Sequence, residues 1–330
     1  MFITKENNFI NNHINMSNFT DFSGLTYCGR EYQDILSRDL YSLDIRNYGV
    51  TLMDGVKGKV KIYNGEIGDV TQAYTCPFTP AGSASLAESF IEPVALKYNL
   101  ENCYDQFWNT FMVDQTSISL RGGIPQTFGD WFFNKFREKM KREYEEIAWQ
   151  GDTARTATTK SYLKVADGWE KQLGENSGVT SGAVSTFTVD NILAQVESAI
   201  QSGLTKAAEG EYETGNFKVL MNYADVQLLK MALGKICCPN NQSIFSNYAM
   251  GPDGGAIIFG FEVIPTHQSR NTIIFGDPRN LVLGFDSFSD HLSWKMIDMR
   301  STTGDNAFRV IGIANIGLGI VFPEGFVYIH

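Results

Sequence analysis

Four histidines, His13, His267, His291 and His330, are the only imidazoles in the chain, and they are too scattered along it to read as a metal site. The five cysteines, Cys28, Cys76, Cys103, Cys237 and Cys238, are odd in number and contain no C-x-x-C pair. That pattern predicts neither a disulfide framework nor a zinc ribbon and suits a reducing cytosol. The adjacent Cys237 and Cys238 read as small buried hydrophobes. No G-x-x-x-x-G-K-[ST] phosphate loop, H-E-x-x-H helix or G-x-S-x-G elbow occurs. The carboxylates are numerous but unpatterned, and Asp152 reads as a turn residue at a helix end rather than as an acid or base. The expectation is no catalytic residue, no cofactor and no metal. An enzyme with an unrecognised site is the remote alternative, and it would be a small monomer or dimer.

Charge narrows the classes further. Thirty-seven acidic against 27 basic residues give a net charge of −10. No Lys/Arg-rich block offers the clustered cations that phosphate neutralisation requires, which argues against sequence-specific nucleic-acid binding. The opening MFITKENNFINNHINMSNF carries Asn and charge where a signal peptide has an apolar core. No run approaches the ~20 apolar residues of a membrane span, so no membrane partner is expected. At 330 residues the length suggests about two domains.

These features need a scaffold, and the stretch Gly129 to Gly151 supplies its centre. GDWFFNKFREKMKREYEEIAWQG reads as one amphipathic helix over 130–150. Asp130 serves as its N-cap, and Gly151 is placed to turn left-handed and end it. Phe133, Phe136, Met140, Tyr144 and Ile147 recur at spacings of three and four and form the expected apolar stripe, with Phe136 and Tyr144 as anchors. Lys135, Arg137, Lys139, Lys141 and Arg142 precede Glu143, Glu145 and Glu146, an order the helix dipole disfavours. Pairs Lys141 with Glu145 and Arg142 with Glu146 offset part of that cost. So charged a face, including Lys139, Arg142 and Glu145, is expected to meet neighbouring protein.

Around this helix the chain reads as an α+β protein. Residues 1–46 are a polar, Asn-rich arm. Residues 47–100 hold strands and two long extended segments about the turn Thr79 to Ser83, which together read as a hairpin. A two-stranded ribbon is marginal alone in water, so this one must lie on something else. Residues 151–182 read as loop. Thr188 to Ser202 reads as a helix, FKVLMN as a buried strand and YADVQLLKMALG as a helix closed by Gly234, giving an α+β domain over 187–287. Strands return after Leu292: LSWKMIDM, FRVIGIANIGLGIVF and FVYIH.

The order of these elements resembles that of the major capsid proteins of tailed double-stranded DNA bacteriophages, with the Hong Kong 97-like fold. The matching segments are EEIAWQGDT, FKVLMNYADVQLLKMALG, FGFEVIPTHQS, NTIIFGDPRNLVLGFD and GDNAFRVIGIANIGLGIVFPEGFVYI. They run in order from about residue 60 to the C-terminus. The segment C-P-F-T-P-A-G-S before the second extended strand is similar to capsid proteins of phages infecting Bacteroidetes, including crAss-like ones.

The resemblance implies an N-terminal arm (1–46), an extended hairpin or E-loop (47–100), a peripheral P domain (101–186 and 288–330) and an axial A domain (187–287). It implies identical subunits in pentamers and hexamers of an icosahedral shell, with arm and hairpin reaching across neighbours. Lys57, Lys59, Lys61, Phe78, Pro80 and Lys97 in and beside the hairpin, with Lys139, Arg142 and Glu145 on the long helix, are then the candidate inter-subunit contacts. Portal, scaffolding and decoration proteins are the implied partners, and the shell encloses double-stranded DNA without sequence-specific binding. The implied place is the virion capsid, assembled in the bacterial cytoplasm. An encapsulin-like nanocompartment is the alternative on the same fold. In the type member a hairpin lysine joins an asparagine of a neighbour with help from a glutamate. Here Ile311 stands where the asparagine would be, and Ile316 to Ile320 contains no carboxylate, so no such cross-link is expected.

Overall fold

The computed structural model describes residues 44–330, apart from 69, 75, 77–79, 81, 108–110, 113–127, 157–158, 184, 210–212, 236–247, 251–255 and 286–294. In chain order the strands are β1 (Thr51–Asp54), β2 (Val60–Ile67), β3 (Ala84–Ile91), β4 (Val94–Cys103), β5 (Thr180–Gly182), β6 (Lys218–Asn222) and β7 (Tyr248–Met250). They continue as β8 (Ala256–Ile258), β9 (Phe261–Thr266), β10 (Ile273–Gly276), β11 (Leu281–Phe285), β12 (Lys295–Asp298), β13 (Ala307–Ile320) and β14 (Val327–Ile329). The longer described helices are α1 (Phe128–Gln150), α2 (Trp169–Glu175), α3 (Ile192–Glu209) and α4 (Tyr223–Lys235). The chain divides into two compact units: one takes residues 97–138 and 293–312, the other 44–96, 139–292 and 313–330.

The larger unit is built on a mixed sheet in the order β5-β14-β10-β6-β9-β8-β7. Its centre is apolar on both faces, which is why KVLMN and IIFG read as unbroken hydrophobic runs. Val219, Leu220, Met221, Ile273, Ile274 and Phe275 are all fully buried. Ile192, Val196, Ala199 and Ile200 of α3 and Val226 and Leu229 of α4 close over that sheet in one core. The sequence places the end of α3 at Ser202; the helix instead continues to Glu209. Gly203 lies inside it, packed against the Phe275 ring with no room for a Cβ.

Residues 139–150 of α1 belong to this unit, and Tyr144 to Trp149 are six consecutive buried residues. No helix with one dry stripe shows that pattern; protein surrounds these last turns. Trp149 meets Trp169 of α2 edge to face at 4.8 Å between ring centroids. Gly151 then ends the helix, but not by turning left-handed, since it is absent from the residues of positive φ. Its role is close approach. Gly168 N–H donates to Gly151 O at 2.8 Å, and a Cβ on Gly168 would lie 2.6 Å from Trp149 O. The segment 151–182, read as loop, contains the buried helix α2, whose seven residues are too few to show a period.

The smaller unit is held by aromatic rings. Phe308 of β13 is fully buried, with Phe132 at 4.7 Å, Tyr104 at 5.0 Å and Phe128 at 5.7 Å. Phe128, Trp131 and Phe132 are buried in the first turns of α1, where the side chain of Phe133 is outside the described ones, while Phe136 is partly buried and stacks on Phe132 at 6.4 Å. The helix starts at Phe128, so Asp130 falls inside its first turn instead of capping it. In this unit β12 pairs antiparallel with β13, Met296 opposite Val310 and Asp298 opposite Phe308.

Replacing Phe308 by Ala should cost about 3 to 5 kcal/mol in a urea melt, as for other buried aromatics. Phe136→Ala should cost less because that residue is only partly buried. Equal losses at the two positions would show that the ring cluster is not centred on Phe308.

Candidate assembly interface

Strands β2 and β3 form a two-stranded antiparallel ribbon in unbroken register from Val60 opposite Ile91 to Ile67 opposite Ala84. Neither pairs with any other strand among the described residues. The two extended segments are shorter than the sequence suggests. Strand β2 ends at Ile67, the connection takes 68–83, and Pro93, which has no N–H for a ladder, separates β3 from β4. Side chains alternate across the pleat, so Lys61 and Phe90, Tyr63 and Glu88, and Gly65 and Leu86 share one face. On it Tyr63, Leu86 and Phe90 are 56, 65 and 44 % exposed. Charge frames the apolar row: Lys61 Nζ lies 2.7 Å from Glu88, Lys59 Nζ 3.7 Å from Glu92, and Lys59 also sits 4.5 Å over the Phe90 ring. In the connecting loop Tyr74 is 94 % exposed.

The other face is anchored at the ribbon's base. Ile91 is fully buried with Val56 and Val282, and Val60 and Ile62 pack against them. Its pocket is made of absences. Gly284 of β11 stands opposite Gly317 of β13, with Gly319 two residues on. A Cβ on Gly317 or Gly319 would lie 2.7 Å from the Ile91 side chain, and one on Gly284 would lie 3.4 Å from it. Three glycines on neighbouring strands thus form a socket for one isoleucine.

Elsewhere in the larger unit, residues 267–272 gather polar contacts from several elements. Glu145 of α1 is 2 % exposed, and a carboxylate oxygen lies 3.1 Å from His267 Nε2. Gln150 Nε2 donates to His267 O at 2.5 Å. Glu170 of α2 accepts from both the N–H and the Oγ–H of Ser269. Asp225 of α4, fully buried, accepts from Arg270 Nε at 2.6 Å and from Asn271 N–H at 2.9 Å. Burial pushes the Glu170 carboxyl up to about 7, with the Ser269 donors offsetting part of the rise.

Each sequence-derived contact residue has a definite place except Phe78, which lies outside the described residues. Lys57, Lys59, Lys61, Pro80 and Lys97 are exposed, and so are Lys139 and Arg142 on α1. Glu145 is corrected: instead of pairing with Lys141 on an open face it turns inward to His267, because the end of α1 is enclosed. The i, i+4 pairs that form are Lys139 with Glu143 at 3.0 Å and Arg142 with Glu146 at 3.2 Å. His13 and His291 lie outside the described residues, as do Cys28, Cys237 and Cys238. Among the described residues no cluster of three or more His, Cys, Asp or Glu side chains is arranged to hold a metal, and no helix is long and apolar enough to cross a membrane. Sequence reasoning missed the socket glycines, although their alternation in NIGLGI is a visible departure from a normal strand.

No protein-family model and no curated protein matches this sequence. Solved structures match its fold. A chain of the satellite phage P4 procapsid including size determination (Sid) protein superposes with a TM-score of 0.62 at 10 % identity, covering 97 % of this chain and 97 % of the other. A chain of the capsid of Myoviridae phage XM1 does so with a TM-score of 0.51 at 11 % identity, over 87 and 91 % of the two chains. This is the fold of phage capsid chains. The capsid of an empty GTA particle gives the same TM-score, 0.51, at 11 % identity over 87 and 89 %. The ribbon, the socket and the polar loop described above are carried on a fold of this type in this chain.

Two measurements follow from the geometry. Ile91→Ala empties the socket and should cost about 2 to 5 kcal/mol in a urea melt, with faster protease cleavage in 60–91; an unchanged cleavage rate would show the ribbon is held elsewhere. The raised Glu170 carboxyl means that between about 4.5 and 7 the folded chain holds a proton the unfolded one has released. Its contribution to stability is present below that window and lost as pH rises through it. Glu170→Gln keeps both contacts to Ser269, since the amide oxygen accepts the N–H and its nitrogen donates to Oγ. It should flatten the pH dependence of the melts and leave the variant relatively more stable at neutral pH.

Proposed function

We propose that this chain is the major capsid protein of a tailed bacteriophage, a structural subunit without enzymatic activity. Copies join as pentamers and hexamers of an icosahedral shell that encloses the double-stranded DNA genome, assembled in the bacterial cytoplasm with portal, scaffolding and decoration proteins as partners. The observation that carries the reading is the ribbon of β2 and β3, anchored firmly at one end and open along an apolar face carrying Tyr63, Leu86 and Phe90. A single copy gains nothing from ordering such a face, whereas a neighbour laid against it removes three large side chains from water, at about 25 cal/mol per Å² of apolar area. The capsid-type fold, matched along nearly the whole chain, supports the same reading.

In this assignment the P domain takes 101–186 and 288–330, the A domain 187–287, and the hairpin and its flanks 47–100. Lys57, Lys59, Lys61, Phe78, Pro80, Lys97, Lys139 and Arg142 are the proposed contacts between subunits. The segment from Cys76 to Ser83 supports placing the phage among those infecting Bacteroidetes. The net charge of −10 suits a wall along which packaged DNA must slide and repack without adhering.

Electron microscopy of the purified product is the direct test. Closed shells are expected, and a species that stays monomeric at high concentration would remove the reading. Particles containing protein cargo instead of DNA would favour a nanocompartment. Boiling the particles in detergent with reductant should give one monomer band, because Ile311, exposed on β13, faces outward where a cross-linking asparagine would be required. A ladder of higher bands would refute non-covalent assembly. Replacing Tyr63, Leu86 and Phe90 together by Ser should leave a folded subunit that assembles poorly.

A further inference from the structure

Glu146 lies one turn beyond Arg142 on α1 and its side chain is only 5 % exposed. Three donors converge on it: Arg142 Nε at 3.2 Å, Lys160 Nζ at 2.8 Å and the Tyr162 hydroxyl. Burial alone would push this carboxyl up; the donors from Lys160, Tyr162 and Arg142 outweigh that and hold it below the usual carboxylate range. Lys160 reaches Glu146 from a left-handed backbone, φ 57°, an uncommon conformation for a residue with a side chain. Lys139 completes the group, 3.0 Å from Glu143 and 5.8 Å over the Tyr162 ring.

The pairing is asymmetric in depth. The carboxylates are underneath, while the Arg142, Lys160 and Lys139 side chains are 64, 47 and 62 % exposed. Arg142 uses Nε inward to Glu146 while its side chain stays largely exposed, so its guanidinium, a fork that fits a planar oxyanion, remains open to solvent.

We propose that Arg142, with Lys160 and Lys139 beside it, is an oxyanion site that receives a carboxylate from a second copy of this chain. The inference rests on the shell reading and names a contact within it. Charge selects the partner. Copies that each carry −10 repel one another, so close approach requires oriented cations where acidic surfaces meet. The partner carboxylate is supplied by the same acidic surface. Glu146, Lys160 and Tyr162 act as positioning residues around Arg142.

The test follows assembly of the purified full chain by light scattering against protein and salt concentration. Arg142→Lys retains the charge but lacks the fork, and should raise the concentration needed for assembly about tenfold, the scale of one lost charge-assisted contact. Arg142→Gln should raise it at least as far and weaken the salt dependence. Both variants assembling like the wild type would overturn the proposal. So would loss of binding to a short DNA duplex with assembly unchanged, which would assign the site to phosphate. If melts show that the Arg142 variants do not fold, Lys139→Gln, remote from Glu146, decides by the same measure, and its unaltered assembly would count against the site. A wild-type chain that never assembles removes the shell reading and this contact with it, an outcome distinct from normal assembly of the variants.

Discussion

The meeting of Ile91 with Gly284, Gly317 and Gly319 is the constraint on which the outward part of this molecule depends. A ribbon with no sheet beside it has only its base to set its direction, and here the base is a single β-branched side chain in a hole that no neighbouring residue can fill. The socket exists only if β11 and β13 hold the register that puts Gly284 opposite Gly317. A slip of one residue along β13 would turn Ile or Leu into the same space and expel Ile91. The pairing of two strands therefore fixes the course of two others distant in sequence.

The segment 267–272 performs the corresponding task with polar groups. Its contacts to α1, α2 and α4 are made through buried carboxylates, which lose much by being left unpaired. Glu145, Glu170 and Asp225 each find a partner in it. Gln268 adds donors to Thr272 O and Oγ1, so the turn is also braced internally. Apolar packing would tolerate small displacements here, but directional bonds from three helices define one position for the loop.

Much of this was legible in the sequence, and the failures have physical causes. The long helix, the buried strands KVLMN and IIFG and the ribbon follow from period and propensity, which are local properties. The helix was rightly ended at Gln150, but the surroundings of its last turns were misread because burial on all sides is a tertiary fact: EEIAWQ contains two acids, and nothing local says that His267 and Lys160 will meet them. Gly151 was read by a common local use of glycine, as a left-handed helix stop, and the helix before Gly203 was ended at Ser202. Gly203 lies within a helix, and both are positions where another element presses close. At the candidate interface the lysines and the Arg142–Glu146 pair were found from position and helical spacing, whereas Lys160 and Tyr162 beside Glu146, and the socket, could not be found without knowing which elements are adjacent.

The openness of the ribbon has a consequence for the chain before it meets its neighbours. Its two strand edges and its row of Tyr63, Leu86 and Phe90 form a template on which any extended peptide could add, a route to aggregates in a crowded cell. The lysines and glutamates framing that face act as gatekeepers. Lys59, Lys61, Glu88 and Glu92 satisfy one another within a single ribbon, and a misregistered partner would bring like charges together or strip them of water. The same four residues that mark the surface for correct association also slow the wrong kind.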